Sequence, residues 1–147
     1  MPILTVPIGP DGPILSLQVG ISEPRRRAME ADDLVVPAHQ TALLLIDTGA
    51  SHTCVDPSII RALDIQPSGI AYMHSASTGE KPEPRYQFDL SLWIPIDGPS
   101  LHPLARAMSV MECTFQFHGF HGLLGRDILD KCRMEYVGPL RQVVLSF

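Results

Sequence analysis

The 147-residue chain has no long apolar run: its most apolar stretch, Ala42-Leu43-Leu44-Leu45-Ile46, stops at Asp47. That is far short of the roughly 20 residues that a bilayer-spanning helix needs, so no membrane partner is expected. Positive charge is also scarce, with 11 Lys and Arg against 16 Asp and Glu for a net charge of -5. Such a balance gives no electrostatic footprint for nucleic acid or an anionic surface. The one basic run, Arg25-Arg26-Arg27, is followed by Glu30, Asp32 and Asp33 and reads as a self-neutralising, solvated segment. Cys54, Cys113 and Cys132 are odd in number and lack C-x-x-C spacing, which fits reduced thiols. Cys113, His118 and His121 have no convincing fourth ligand, so neither a metal nor any other cofactor is expected. The opening Met-Pro-Ile-Leu-Thr has no basic segment or long apolar core of a secretory signal, and the expected location is cytoplasmic.

What the chain does have is 14 dispersed prolines and 45% apolar residues. A chain of this length reads as a single domain, 1–147, burying roughly two thirds of its unfolded surface. The expected class is all-β with two short helices. Apolar segments 3–8 and 14–19 flank Gly9-Pro10-Asp11-Gly12, strong turn chemistry for a hairpin. Residues 22–40 are an insertion of unassigned purpose, with room for a short exposed helix over 25–34 that Pro37 would stop. Residues 41–46 form a buried strand, and Asp56-Pro57 is a helix start with Ile59, Ile60 and Leu63 on one face. A long hairpin follows, with arms near 70–72 and 88–94 and a polar tip over 75–84. Lone Trp93 is placed beneath it. Further strands are expected over 105–111, 114–117, 121–125 and 141–147, with the second helix over 126–132.

The segment that carries chemistry is Asp47-Thr48-Gly49-Ala50-Ser51, where a buried strand ends on a Gly-permitted turn that displays a carboxylate. Hydrolysing a peptide bond without a metal or covalent intermediate needs a polarised water and a proton donor to the carbonyl. Two carboxylates about 3 Å apart supply both, because like charges that close cannot both ionise. The element occurs once, so the second carboxylate must be Asp47 of another copy. A structural turn at this point is the bland alternative, and a cysteine-protease reading of Cys54 has no matching His or Asn pattern.

Asp47-Thr48-Gly49-Ala50-Ser51, the helix start at Pro57, the Ser-Thr-Gly-bearing hairpin and Leu123-Leu124-Gly125-Arg126-Asp127-Ile128-Leu129 follow one another in a familiar order. Together they resemble the retroviral-type (retropepsin-like) aspartic proteases and their single-domain bacterial or mobile-element relatives. The resemblance implies a homodimeric closed β-barrel of the acid-protease fold. It implies an aspartic endopeptidase with Asp47 as catalytic carboxylate and a peptide or protein substrate. Thr48 and Gly49 would support the dyad. Gly49, Ala50 and Ser51, with Ser77, Thr78 and Gly79 on a flap, would contact substrate, and Arg126 would brace the loop or the dimer contact. The terminal strands, 3–8 and 143–147, are the expected intersubunit sheet. Ala50 has no hydroxyl to bond the carboxylate, so an activity optimum of about pH 5–7 is expected. Three features depart from the viral pattern: the 22–40 insertion, the charged, proline-rich flap tip, and Ser51 where viral enzymes usually carry Asp. They keep a second reading open, a non-catalytic dimerisation or peptide-binding module on the same fold.

Overall fold

Period-two burial organises the chain. Leu15, Leu17, Val19 and Ile21 are buried along one strand, Ala42, Leu44 and Ile46 along a second, and Phe88, Leu90, Leu92 and Ile94 along a third. Burying each of these Val, Leu, Ile and Phe side chains contributes roughly 1.5–3 kcal/mol relative to exposure. The computed structural model describes residues 2–74, 79–115 and 118–147. Its strands are β1 (Ile3–Gly9), β2 (Gly12–Ile21), β3 (Gln40–Ile46), β4 (Cys54–Val55), β5 (Gly69–Met73), β6 (Glu83–Asp97), β7 (Ser100–Glu112), β8 (Gly122–Leu124), β9 (Arg133–Val137) and β10 (Gln142–Ser146).

The order β6-β7-β4-β8-β3-β2, with β2 also paired to β6, closes six strands into a barrel. Strand β5 extends the sheet beyond β6, and β1, β10 and β9 extend it beyond β2. Most pairings are antiparallel. The exceptions are β3–β8 and β4–β7, which run parallel and bring the ends of β3 and β8 to one place.

Among the described residues three α-helices are present where two were expected: α1 (Glu23–Ala31), α2 (Pro57–Arg61) and α3 (Arg126–Leu129). The extra one, α1, lies in the insertion. It is tied down by the buried Glu23 carboxylate, which meets Arg26 at 2.7 Å, Arg106 of β7 at 3.2 Å and Arg27 at 3.7 Å. The hydrogen bond from Arg26 outweighs burial and holds the Glu23 carboxyl below its ordinary value. The basic run is therefore neutralised mainly from its own N-terminal side, with Arg26–Glu30 as a further pair. Trp93 does not lie beneath the flap hairpin. Its ring stacks on His39 of the insertion at 5.7 Å, with the Arg106 guanidinium 5.5 Å from its centroid.

The terminal strands pair with each other inside the chain. Strand β1 pairs with β10 of the same chain, from Ile3 opposite Ser146 to Pro7 opposite Gln142, and touches β2 only at the turn. Strand β9, unassigned in the sequence reading, completes that sheet on the far side of β10. Thr114 and Phe115 are not in a strand, and the remainder of 114–117 lies outside the described residues. The reason is local: the Phe115 amide donates to Asp56 Oδ2 at 2.7 Å, so it is taken by a side chain instead of a ladder.

Asp56 also caps α2, accepting from the Ser58 amide at 2.9 Å ahead of Pro57. Burial raises its carboxyl, but the amides of Phe115 and Ser58, the Ser58 side chain and His121 outweigh that and hold it below the ordinary carboxylate value. Asp56→Ala is expected to cost about 2 kcal/mol in urea unfolding, from the lost cap and an orphaned amide. Because the folded value is the lower one, this stabilisation is complete above the unfolded carboxylate range and is lost as pH falls below it. The variant's stability should therefore decline less steeply than the wild type's on acidification. An equally steep acid limb would show that Asp56 is not a source of it.

Candidate active site

Asp47 stands where β3 leaves the barrel. Its amide donates to the Leu124 carbonyl at 3.0 Å, one step beyond the parallel pairing of Ile46 with Leu124. Its own carboxylate then organises the turn: Oδ1 accepts from the Gly49 amide at 2.8 Å, and the Asp47 carbonyl accepts from the Ala50 amide at 3.2 Å. A Cβ on Gly49 would sit 3.1 Å from Asp47 Oδ1, so the close approach favours glycine there. Thr48 and Gly49 are exposed and Asp47 is half-buried at the edge of an open cleft.

Two residues after the barrel's second crossing hold this loop. Arg126 Nη1 donates to the Thr48 carbonyl at 2.8 Å, and its amide donates to the Ala50 carbonyl at 2.9 Å. Its neighbour Asp127, which sequence reasoning passed over, is bound more deeply. Asp127 Oδ1 accepts from the Thr53 hydroxyl at 2.6 Å and Oδ2 from the Thr53 amide at 2.8 Å. The Thr53 hydroxyl in turn accepts from the Gly125 amide at 3.1 Å. Thr53 is fully buried, and a Cβ on Gly125 would lie 2.6 Å from the His52 carbonyl carbon. Only glycine lets the two backbone segments meet this closely. Ser51 takes no part: its hydroxyl lies 3.0 Å from His52 Nδ1, exposed to solvent.

Asp47, Gly49, Ala50, Ser51, His52 and His74 line a cleft of about 390 Å³. The apolar Cys54, Met73, Met111 and Leu123 complete the lining. None of those four was singled out as cleft-lining from sequence; each occupies a strand position whose side-chain direction depends on tertiary register. Asp47 is the sole carboxylate among the described lining residues. The flap hairpin is β5 against β6, Gly69 opposite Gln87 through Met73 opposite Glu83. Ser77 and Thr78 lie outside the described residues. Gly79 is exposed with a left-handed φ of 60° and is not part of the cleft lining. A second hollow, about 400 Å³, lies by α2 and includes no residue of the Asp47 loop. Of the residues weighed for zinc, His121 has its Nδ1 engaged by the Leu43 amide at 2.9 Å, and the His118 ring packs on Phe115 and Phe120.

A sequence profile described as "Aspartyl protease" matches residues 35–128, from just ahead of β3 into α3. The chain belongs to the aspartyl protease family. The match takes in both the Asp47 turn and the Gly125-Arg126-Asp127 element that supports it. Among solved structures, this aspartyl protease chain is similar to a retropepsin-like aspartic protease from Rickettsia conorii, with a TM-score of 0.55 and 12% identity. The likeness covers 97% of this chain and 89% of that one, and at such identity it is a likeness of fold. The barrel is thus retropepsin-like. No curated protein matches this chain.

Asp127→Ala removes two charge-assisted bonds and leaves a buried amide and hydroxyl without their acceptor, an expected loss of about 3 kcal/mol in chemical denaturation. Thr53→Val should cost about 1–2 kcal/mol, and the double variant distinctly less than the sum. Additive losses would mean that the two side chains do not act as one clamp.

Proposed function

We propose that the protein is an aspartic endopeptidase acting as a homodimer, with a water activated between the Asp47 carboxylates of two copies. The observation that carries this reading is a single carboxylate, held on a braced turn at the edge of a peptide-sized cleft, in a chain of this family. One carboxylate draws the proton from the water as its oxygen attacks the scissile carbonyl. The other donates its proton to the carbonyl oxygen, and the amine leaves with a proton returned from the pair. The two titrate as one unit.

In this reading Thr48 supports the partner loop, and Gly49, Ala50 and Ser51 contact the substrate backbone. Ser77, Thr78 and Gly79, read from sequence as the flap, would cover the substrate and exclude water. Arg126 keeps the loop in place through Thr48 and Ala50. The apolar lining of Cys54, Met73, Met111 and Leu123 favours apolar side chains beside the cleaved bond. The span 1–147 is read as one domain, and a cytoplasmic location rests on its odd set of unpaired cysteines.

Cleavage profiling of the purified protein on denatured protein and peptide libraries, from acidic to neutral pH, tests the proposal. Asp47→Asn should lower turnover by at least about 10³-fold while leaving the oligomeric state unchanged. Cuts should be blocked by a statine-type transition-state mimic and peak at about pH 5–7. A dimeric preparation that cuts nothing at any pH would favour the binding-module reading. Activity from a strictly monomeric preparation would refute the shared site.

A further inference from the structure

The sheet ends on two edge strands, β5 and β9, and they are built differently. Strand β9 carries Arg133 and Glu135, whose side chains meet at 2.7 Å. Charges of this kind guard an exposed edge, because a strand added there must confront them. Strand β5, Gly69-Ile70-Ala71-Tyr72-Met73, has no charged residue. Ile70 and Tyr72 are 58% and 69% exposed on one face of it. Across the ladder Ile70 adjoins Tyr86 of β6, itself 51% exposed, and Tyr72 adjoins the exposed Pro84. These uncharged side chains make one continuous patch at an unguarded edge.

The backbone at that edge is available as well. The Gln87 carbonyl faces β5, accepting from the Ser68 amide at 2.8 Å. Successive residues of a strand turn their amides and carbonyls to opposite sides, so Arg85 and Glu83 face β5 too. Tyr86 and Pro84 then face away, and proline suits that place because it has no amide to give. The bonds between the hairpin arms therefore involve Ala71 and Met73, opposite Arg85 and Glu83. The amides and carbonyls of Ile70 and Tyr72 point outward, where no further strand lies among the described residues. An added antiparallel strand would take up both pairs. A second copy of β5 meets them without adjustment. Turned about a two-fold axis at Ala71, it sets Ile70 opposite the partner's Tyr72 and Tyr72 opposite the partner's Ile70. Every outward amide then finds a carbonyl. Ala71 faces the partner's Ala71 in the pair without hydrogen bonds, where side chains come closest and a small one fits. The same operation on β9 would set Glu135 against the partner's Glu135, like charge on like.

We propose that β5 is a docking edge for a second copy of this chain, pairing antiparallel with the partner's β5 in a register centred on Ala71. The apolar patch of Ile70, Tyr72, Tyr86 and Pro84 then continues across the two-fold into its own copy. With strands of five residues the contact is small, which puts it at the weak, concentration-dependent end of protein interfaces. It uses no residue of the Asp47 turn and stands apart from the protease reading. Its far end bears on the cleft all the same. Met73, the last residue of β5, lines that cleft, so a partner strand steadies the hairpin arm from which its side chain projects.

Sedimentation velocity of the full chain over a concentration series reads the contact. Ile70→Lys combined with Tyr72→Lys puts like charges into both cross-strand pairs, and should weaken an association step by at least about tenfold. Ile70→Lys combined with Tyr72→Glu loses the same apolar side chains but sets opposite charges across the two-fold, and should recover most of that loss. Both variants change exposed positions and should melt close to the wild type. Ala71→Cys should form a disulfide-linked dimer on mild oxidation, beyond anything the wild type gives, because that pair brings two Cα atoms to about 4.5 Å. Amide hydrogen exchange supplies a readout without any substitution. The Ile70 and Tyr72 amides should exchange fast at low protein concentration and more slowly at high, with Ala71 and Met73 protected at both. Association equally strong in the two charge variants, or Ile70 and Tyr72 exchange that ignores concentration, would overturn the contact. Peptide cleavage is scored separately: a chain that pairs through β5 but cuts nothing counts against the protease function alone.

Discussion

Everything at the cleft depends on the two bonds by which Asp127 holds Thr53. The chain leaves the barrel at Ile46 and returns at Cys54, and the return strand is only two residues long. A strand so short cannot fix its own register against β7 and β8. The Asp127 carboxylate supplies what the ladder lacks, accepting both the hydroxyl and the amide of Thr53 in a buried setting. Bonds to a charged acceptor are worth roughly twice neutral ones, and a buried donor deprived of one is costly. Gly125 allows the backbones to approach near His52 and Thr53, and its amide completes the Thr53 hydroxyl. The position of Asp47 is therefore set from α3, through a link that spans 74 residues of sequence.

Barrel closure explains why that link lies beside a cleft. Parallel pairing of β3 with β8 sends both strands out at the same end, Asp47 from one and Gly125 from the other. The same end receives β4, and with it Cys54, while β5 and β6 project the flap hairpin from the adjacent side. The cleft is then lined by apolar side chains from strands and by the polar Asp47 turn. Such a lining combines apolar contact with one carboxylate, the division of labour that ligand sites generally show.

Much of this was legible in the sequence where the signal is local. An apolar run ending in Asp-Thr-Gly locates the turn, Asp56-Pro57 locates α2, and alternation over 88–94 locates the inner arm of the flap. The misses share a cause. Alternation specifies which face of a strand is buried and not which strand lies beside it, so nothing in 3–8 or 143–147 shows that these segments pair with each other. Residues 114–115 look like a strand until the Phe115 amide is seen to bond Asp56, 59 residues away. Helix α1 has too little apolar periodicity to be read with assurance; its anchor is one buried glutamate under three arginines. In the Gly125-Arg126-Asp127 element the cation was picked out and the anion was not. A carboxylate in a first helical turn reads as dipole compensation, and only the folded chain shows it holding Thr53.

The pairing of β1 with β10 bears on how folding and function separate. In an assembly whose terminal strands lack partners inside the chain, association would finish the sheet, and folding would depend on protomer concentration. Here those strands are paired within the chain, and the barrel core is closed by β2 against β6. The elements that bury most apolar surface are thus complete in one copy. On the homodimer reading proposed above, what one copy lacks is chemical: Asp47 is the sole carboxylate among the described lining residues. On the homodimer reading, association then adds to stability only as mass action on a fold already formed, a few kcal/mol at concentrations well above the dissociation constant. Activity is tied to it completely, since a lone carboxylate can take a proton from water but has no neighbour to protonate the carbonyl. Dilution would silence such a protein long before it unfolded, and the clamp on Thr53 would keep each half of the site in shape until a second copy arrived.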